Sequence, residues 1–346
     1  MSERRVARRV LVAMSGGVDS SVAAALLVER GDDVTGVTLK LWGGESDSGC
    51  CSASDVEDAR RVAAQLGIPH YVFNFSDDFG ADVVDPYVQA YASGRTPNPC
   101  VECNRTIKFG RLLDRAVALG FDHVATGHHA RVVDKRDELA LVRGEDRAKD
   151  QSYVLYMLTQ HELRRARFPV GELTKTQVRA HAARLGLRTA AKPESMDVCF
   201  ITKSARRDFV AARAAMQPGA VVDAAGETVG RHEGVGAFTI GQRRGLGVAA
   251  GDRRYVVDID ASRATVVIGP RAALLRDDVL LRDVTFVGSP PSPGPLHAQV
   301  RAHGEPLAAQ LVGRVVQFAE PQPRVAPGQV VALYQGDTLV GGGIAA

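Results

Sequence analysis

The chain has 346 residues, 45% of them hydrophobic and 24% charged, an ordinary globular composition with room for two or three domains. That excludes disorder for the bulk of the chain, and the 35 Gly and 16 Pro follow no G-X-Y period, which excludes collagen. With 43 Lys and Arg against 40 Asp and Glu, the net charge of +3 is too small to signal nucleic-acid binding by itself.

The start of the chain carries Arg4, Arg5, Arg8 and Arg9, and the apolar stretch 10–14 behind them is too short for a signal-peptide core. No apolar run reaches the ~18–20 residues of a membrane helix, so a soluble, cytoplasmic protein with no membrane partner is expected. Residues 9–14 read as a buried strand. Residues 19–30 read as a helix with Val22, Leu26 and Leu27 on one face and Gly31 ending it. A strand at 34–41 follows, then a helix at 54–66 with Ser54 as cap, Glu57 completing a capping box and Gly67 as stop. A third strand is expected at 70–75, helices at 79–92 and 104–119, a buried strand at 123–126 and a helix at 176–185. Strand alternating with helix predicts a parallel sheet wound on both faces, an α/β doubly wound domain over 1–214.

Beyond Ala215 the pattern changes to short β-type runs separated by Gly and Pro, at 238–240, 255–259 and 265–268. After a break near 271–278 come runs at 279–287, 298–301, 310–318, 329–334 and a final short one at 341–346. This spacing predicts a small β-rich central domain over 215–274 and a C-terminal β barrel over 275–346. Three basic clusters stand out: Arg164, Arg165 and Arg167; Lys203, Arg206 and Arg207; and Arg243, Arg244, Arg253 and Arg254. Solvated faces are the plain reading of each, and an RNA phosphate track the sharper one.

The strongest local motif is Ser15-Gly16-Gly17-Val18-Asp19-Ser20, between the first strand and its helix. Two glycines permit a tight turn, and the following helix N-terminus presents N–H groups to an anion. Asp19 suits a magnesium ion between phosphate oxygens. No Gly-Lys-Ser/Thr follows, so this is not a Walker A loop. The hexapeptide resembles the pyrophosphate loop of the N-type ATP pyrophosphatases. That resemblance implies a five-stranded parallel sheet and transfer of AMP from ATP to a substrate oxygen, with loss of pyrophosphate.

Five cysteines, Cys50, Cys51, Cys100, Cys103 and Cys199, form an odd set in a chain too long for a disulfide scaffold. Pro97 and Pro99 hold 96–99 extended, which sets Cys103 at the mouth of the helix expected from Asn104, where a thiolate is favoured. A buried structural thiol or half of a zinc site remains open for Cys103, and a buried core residue for Cys199 beside Val198 and Phe200.

Taken together, Ser15–Ser20, the stretch Gly94-Arg95-Thr96-Pro97-Asn98-Pro99 with Cys103-Asn104, and Glu194-Ser195-Met196-Asp197-Val198-Cys199-Phe200 resemble the tRNA-specific 2-thiouridylases. Ala125-Thr126-Gly127-His128, Lys149-Asp150-Gln151-Ser152-Tyr153, Gly241-Gln242-Arg243-Arg244-Gly245-Leu246 and Gly341-Gly342-Gly343-Ile344 extend the match in order along nearly the whole chain. The resemblance implies thiolation of C2 of the wobble uridine in tRNAs for lysine, glutamate and glutamine. ATP would be bound by Ala13, Met14, Ser15, Gly16, Gly17, Val18, Asp19 and Ser20, with Leu39 and Gly127 at the adenosine and Asp19 placing Mg2+. Cys199 matches the family's persulfide carrier and Cys103 its nucleophile, the pair passing through a disulfide. Asn98, Pro99 and Cys100 match target-base contacts, and His128, Lys149, Asp150, Gln151, Arg301 and Gln329 match tRNA contacts. A cysteine desulfurase or sulfur-relay protein is implied as donor, and a monomer is expected.

Many family members carry Asp where this chain has Cys100, so a general base at that position is in doubt. Cys100 is either a helper thiol or, with Cys103 and Cys199, a ligand of an iron–sulfur cluster. The persulfide route is the favoured reading. Cys50 and Cys51 are assigned nothing. A different adenylating ligase would not need the cysteine pair, and a non-catalytic RNA-binding protein would not need the Asp19 loop.

Overall fold

A computed structural model describes residues 7–42, 52–135, 138–193, 198–201, 206–248, 252–291 and 294–346. Cys50, Cys51, Lys203 and the 194–197 part of the third motif lie outside the described residues. The strands of the first half are β1 Arg9–Ala13, β2 Asp33–Lys40, β3 His70–Asn74, β4 His123–Ala125, β5 Ala130–Lys135, β6 Glu138–Arg143 and β7 Ala166–Arg167. Five of them make a parallel sheet in the order β3-β2-β1-β4-β7. β1 is buried without alternation at Val10, Leu11 and Val12, as a strand covered on both faces must be. Helices Val18–Glu29, Ala53–Leu66 and Lys175–Arg184 pack a core on one face. The helical segments 76–92 and 99–118 pack another on the opposite face. The chain leaves β1 toward β2 on one side and returns as β4 on the other, so a crevice opens at the carboxyl end of β1.

Several local expectations are corrected. The helix Ala53–Leu66 is capped by Ser52, whose hydroxyl accepts from the Asp55 N–H while Asp55 completes the box. Ser54 hydrogen-bonds the Ser52 hydroxyl instead, and Glu57 pairs with Arg60 and Arg61. The helix expected at 104–119 starts at Pro99 instead, because Asn98 caps it and proline is pre-set for the first helical position. It runs through a π-helical stretch, Cys103–Arg111, into Leu112–Ala118. The segment 76–92 likewise begins earlier, at Ser76, and contains a π turn at Gly80–Val84.

The middle sheet has β8 Gly219–Val222, β9 Thr228–His232, β10 Tyr255–Asp260 and β11 Thr265–Gly269 in the order β10-β11-β8-β9. The run 238–240 is a buried loop instead of a strand, with Phe238 and Ile240 in this domain's core just before a left-handed Gly241.

Six strands follow: β12 Leu275–Phe286, β13 Leu296–Gln299, β14 Leu307–Val312, β15 Val315–Pro323, β16 Val330–Gln335 and β17 Thr338–Ala345. They run β12-β15-β14-β13-β16-β17, and β12 pairs with β17 to close the barrel. The expected single run 310–318 is a hairpin, because Gly313 at φ +60° and Arg314 supply a two-residue turn. The hairpin β5–β6, which lies between two strands of the parallel sheet, adds to the barrel by pairing Leu141 with Leu339 and Val142 with Thr338. Among the described residues no helix is long and apolar enough to cross a membrane.

Candidate active site

Met14 to Ser20 occupy the crevice at the end of β1. Gly16 turns with φ +71°, and a Cβ there would stand 2.3 Å from the carbonyl oxygen of Asp55. Gly127, just beyond β4, lies so close that a Cβ would meet the backbone nitrogen of Ser20 at 2.6 Å. The helix behind begins at Gly17 with no side-chain cap, which leaves its first-turn N–H groups to an anion. The Ser20 hydroxyl accepts from the Ser15 N–H at 3.1 Å, and the Ser21 hydroxyl donates to the Gly17 carbonyl at 2.8 Å.

Asp19 does not stand alone. Lys175 Nζ reaches its two oxygens at 2.8 and 2.7 Å, and His129 Nε2 reaches Oδ1 at 3.1 Å. Burial pushes the Asp19 pKa up, but the hydrogen bonds from His129 and Lys175 outweigh it and hold the carboxyl below its ordinary value. Neither His129 nor Lys175 was a candidate from sequence. His129 directly follows the quoted Ala125–His128 motif, whereas Lys175 arrives through the fold, on a helix capped by Thr174.

On the other side of the loop, the Thr38 hydroxyl donates to the Met14 carbonyl at 2.8 Å and lies 2.9 Å from His70 Nε2. Leu39 is buried near the end of β2. Ala13, Leu39, Cys103 and Cys199 all belong to one apolar cluster, Cys103 buried within it and Cys199 half-buried against it.

The helix mouth expected at Cys103 falls at Cys100. Asn98 Oδ1 accepts from the N–H groups of Cys100 at 3.1 Å and Val101 at 3.4 Å, so Cys103 sits a turn inside. Tyr87 borders this region, its hydroxyl pKa driven up by burial, then by Tyr91, with a smaller push from Cys100. Cys199 is seated through Phe200, which is 2% exposed. That ring meets Phe79 at 5.5 Å, Tyr87 at 5.4 Å and Phe209 at 5.5 Å between centroids.

The residues matched to tRNA contacts divide. Arg301 is exposed and Lys149 and Gln151 are half-buried. His128 is buried between Phe109 and Phe168 and hydrogen-bonds Thr126; burial, then Lys108, keeps its pKa well below the ordinary imidazole value. Asp150 is buried, and its carboxylate accepts from Arg143 at 2.7 Å, the Ser152 hydroxyl at 2.9 Å and the Gly144 and Ser152 N–H groups. The Gln151 side chain accepts from the His129 N–H at 3.0 Å. Gln329 donates to the Thr96 carbonyl at 2.9 Å, beside a Thr96 N–H bond to Pro327. Gln329 thus docks the barrel on the stretch that leads to Asn98, Pro99 and Cys100.

A parallel sheet with this loop at its switch point, followed by two β domains, defines an ATP-binding enzyme of the N-type ATP pyrophosphatase class. Family models described as "tRNA methyl transferase HUP domain", "tRNA methyl transferase PRC-barrel domain" and "Aminomethyltransferase beta-barrel domain" match residues 8–203, 207–270 and 276–345. The chain belongs to the tRNA-specific 2-thiouridylase family. It is 49% identical to the tRNA-specific 2-thiouridylase MnmA of Roseiflexus sp. (strain RS-1) over 97% of this chain and 98% of that one. It is 51% identical to the MnmA of Mycobacterium avium (strain 104) over 95% of each.

Proposed function

We propose that the protein converts the wobble uridine of tRNAs for lysine, glutamate and glutamine to 2-thiouridine in the cytoplasm, as a monomer built from domains 1–214, 215–274 and 275–346. The C2 carbonyl of uracil is a poor electrophile with no leaving group. Adenylation of its oxygen by ATP supplies one, and the residues Ala13 to Ser20 hold the departing pyrophosphate with first-turn N–H groups and the helix dipole. Leu39 and Gly127 border the adenosine. Asp19, kept anionic by Lys175 and His129, suits Mg2+, which when bound would screen phosphate charge.

Sulfur arrives on Cys199 as a persulfide from a cysteine desulfurase or relay protein. The Cys103 thiolate attacks the inner sulfur, which releases hydrosulfide and leaves a Cys103–Cys199 disulfide. Hydrosulfide adds to the activated C2 and expels AMP, giving the thiocarbonyl, and an external thiol reductant restores the pair. Direct attack of Cys103 on C2 is the second route. Asn98, Pro99 and Cys100 contact the base, which must leave the anticodon stack to reach them. Lys149, Gln151 and Arg301 contact the tRNA, while His128, Asp150 and Gln329 hold the elements that carry those contacts.

The observation that carries this reading is the single apolar cluster shared by Cys103, Cys199, Ala13 and Leu39 beside the phosphate loop. Among the described residues no three His, Cys, Asp or Glu are grouped to hold a metal ion. The persulfide route assigns no step to a cluster on Cys100, Cys103 and Cys199. Methyl transfer, the wording of the family-model descriptions, has no use for a pyrophosphate loop or a cysteine pair. The test is ATP-dependent sulfur incorporation into tRNA by wild type, Cys103→Ser and Cys199→Ser. Loss in both variants is expected, and full turnover by both would sink the mechanism.

A further inference from the structure

The three basic clusters of the sequence have different fates in the fold. Arg167 spends its guanidinium on the carbonyls of Ala166 and Arg164 and on His123. Arg206 lies over the Tyr91 ring, 5.1 Å from its centroid. Arg243 and Arg244 are exposed, and no ion pair or side-chain hydrogen bond engages either among the described residues. Their loop is nonetheless firmly built. Gly241, Gly245 and Gly247 take φ values of +83°, +69° and +71°. The Gln242 side chain accepts from the Thr239 N–H at 3.1 Å and donates to the Arg244 carbonyl at 2.9 Å. Gly241 and Gln242 exchange backbone hydrogen bonds with Val256 of β10 at 2.8 and 2.9 Å. Arg253, exposed, and Arg254, half-buried, lead into that same strand, against one exposed carboxylate in the run, Asp252. A merely solvated face does not need a pre-ordered turn beneath two arginines that are unpaired among the described residues.

We propose that the loop 241–247 is a docking point for the phosphodiester backbone of the tRNA substrate, with Arg243 and Arg244 as its phosphate contacts. This rests on the proposed function and adds an RNA-contacting surface on the middle domain. The placement supports it. Further along β10, Ile259 packs so close to Gly94 that a Cβ there would stand 2.7 Å from it. Gly94 is two residues before Thr96, on the stretch that leads to Asn98, Pro99 and Cys100. Val256 and Ile259 are three steps apart along the strand, a distance of roughly 10 Å. The arginines therefore stand a few nucleotides' reach from the point where the base enters. Guanidinium is matched to phosphate in shape and charge, and phosphate contacts fix the register of a bound nucleic acid. An acidic protein surface is the competing partner.

The test measures binding of an unmodified tRNA transcript for glutamate to the full chain across a range of KCl concentrations. An Arg243→Ala/Arg244→Ala protein should bind more weakly, with the slope of log affinity against log salt shallower by about 1.4–1.8, at 0.7–0.9 per contact. An Arg243→Lys/Arg244→Lys protein should keep most of the slope, and ATP binding should be unchanged in both. Wild-type affinity and slope in the Ala pair would overturn the proposal. So would intact tRNA binding with lost sulfur uptake from a cysteine desulfurase, which would make the loop a protein-docking surface. Loss of tRNA and ATP binding together in both pairs would also overturn it, as damage to the fold. If wild type binds no tRNA, the proposed function fails and this inference fails with it.

Discussion

Gly127 shows how much a single missing side chain can decide. A methyl there would stand 2.6 Å from the Ser20 nitrogen and 2.8 Å from the Asp19 carbonyl carbon, both backbone atoms that cannot swing aside. Gly127→Ala should therefore displace the phosphate loop and weaken ATP binding by about tenfold or more, about 1.4 kcal/mol, measured by calorimetry on a protein that still melts cooperatively. Asp19 sets a pH dependence. Its folded pKa lies below its ordinary value of 3.8, so the stability it contributes is present above that value and is lost as pH falls through the depressed one. Urea unfolding between pH 3 and pH 6 should show a shallower acid loss in Asp19→Asn than in wild type. An identical acid limb would mean that Lys175 and His129 do not act on Asp19 as their geometry indicates.

At the scale of elements, capping decides where chemistry sits. Asn98 and Pro99 start the helix that carries both thiols, which puts Cys100 in the first turn and buries Cys103 a turn further in. The sequence contained this signal, an Asx cap followed by proline at the first position, but the two prolines read more simply as an extended loop. The same competition moved the cap of Ala53–Leu66 from Ser54 to Ser52. Ser52→Ala should cost about 1 kcal/mol in chemical denaturation. Ser54→Ala should stay within about 0.5 kcal/mol, as a surface change does. Equal losses would place the cap wrongly. Three strands that escaped the sequence reading are short or glycine-bearing: β7 has two residues, and β8 and β9 each contain a glycine, so none shows a run of alternation long enough to read. The hairpin β5–β6 escaped it as well, although each of its strands has six residues and no glycine.

At the scale of the whole molecule, the barrel is joined to the ATP-binding layer by β6 on β17 and by a buried polar knot. Arg143 pairs with Asp150 and lies 3.7 Å from the centroid of the Tyr334 ring, while the Ser152 hydroxyl bridges Asp150 and the Tyr334 hydroxyl. Both charged side chains are nearly inaccessible, 10% and 5% exposed. Removing one leaves the other buried and uncompensated, so Asp150→Ala should destabilise the protein by about 3–5 kcal/mol in denaturant unfolding. A loss below about 1 kcal/mol would show that this pair does not hold the barrel joint. The knot sits beside Lys149 and Gln151, so the barrel and the loop expected to touch tRNA are positioned together.

The sequence by itself determined the parallel α/β layer, the phosphate loop and the identity of the cysteine motifs. Each is written in local terms, as buried apolar runs, helix periodicity, glycine turns and short motifs. The loop's close packing against Gly127, the Lys175–Asp19–His129 contact and the shared cluster of Cys103 and Cys199 were decided only by tertiary structure. So was the enlistment of β5–β6 by the barrel. These depend on residues far apart in the chain, Asp19 and Lys175 or Leu141 and Leu339. No local pattern records such pairs, because they form only when separate layers pack and bring their polar groups out of water together.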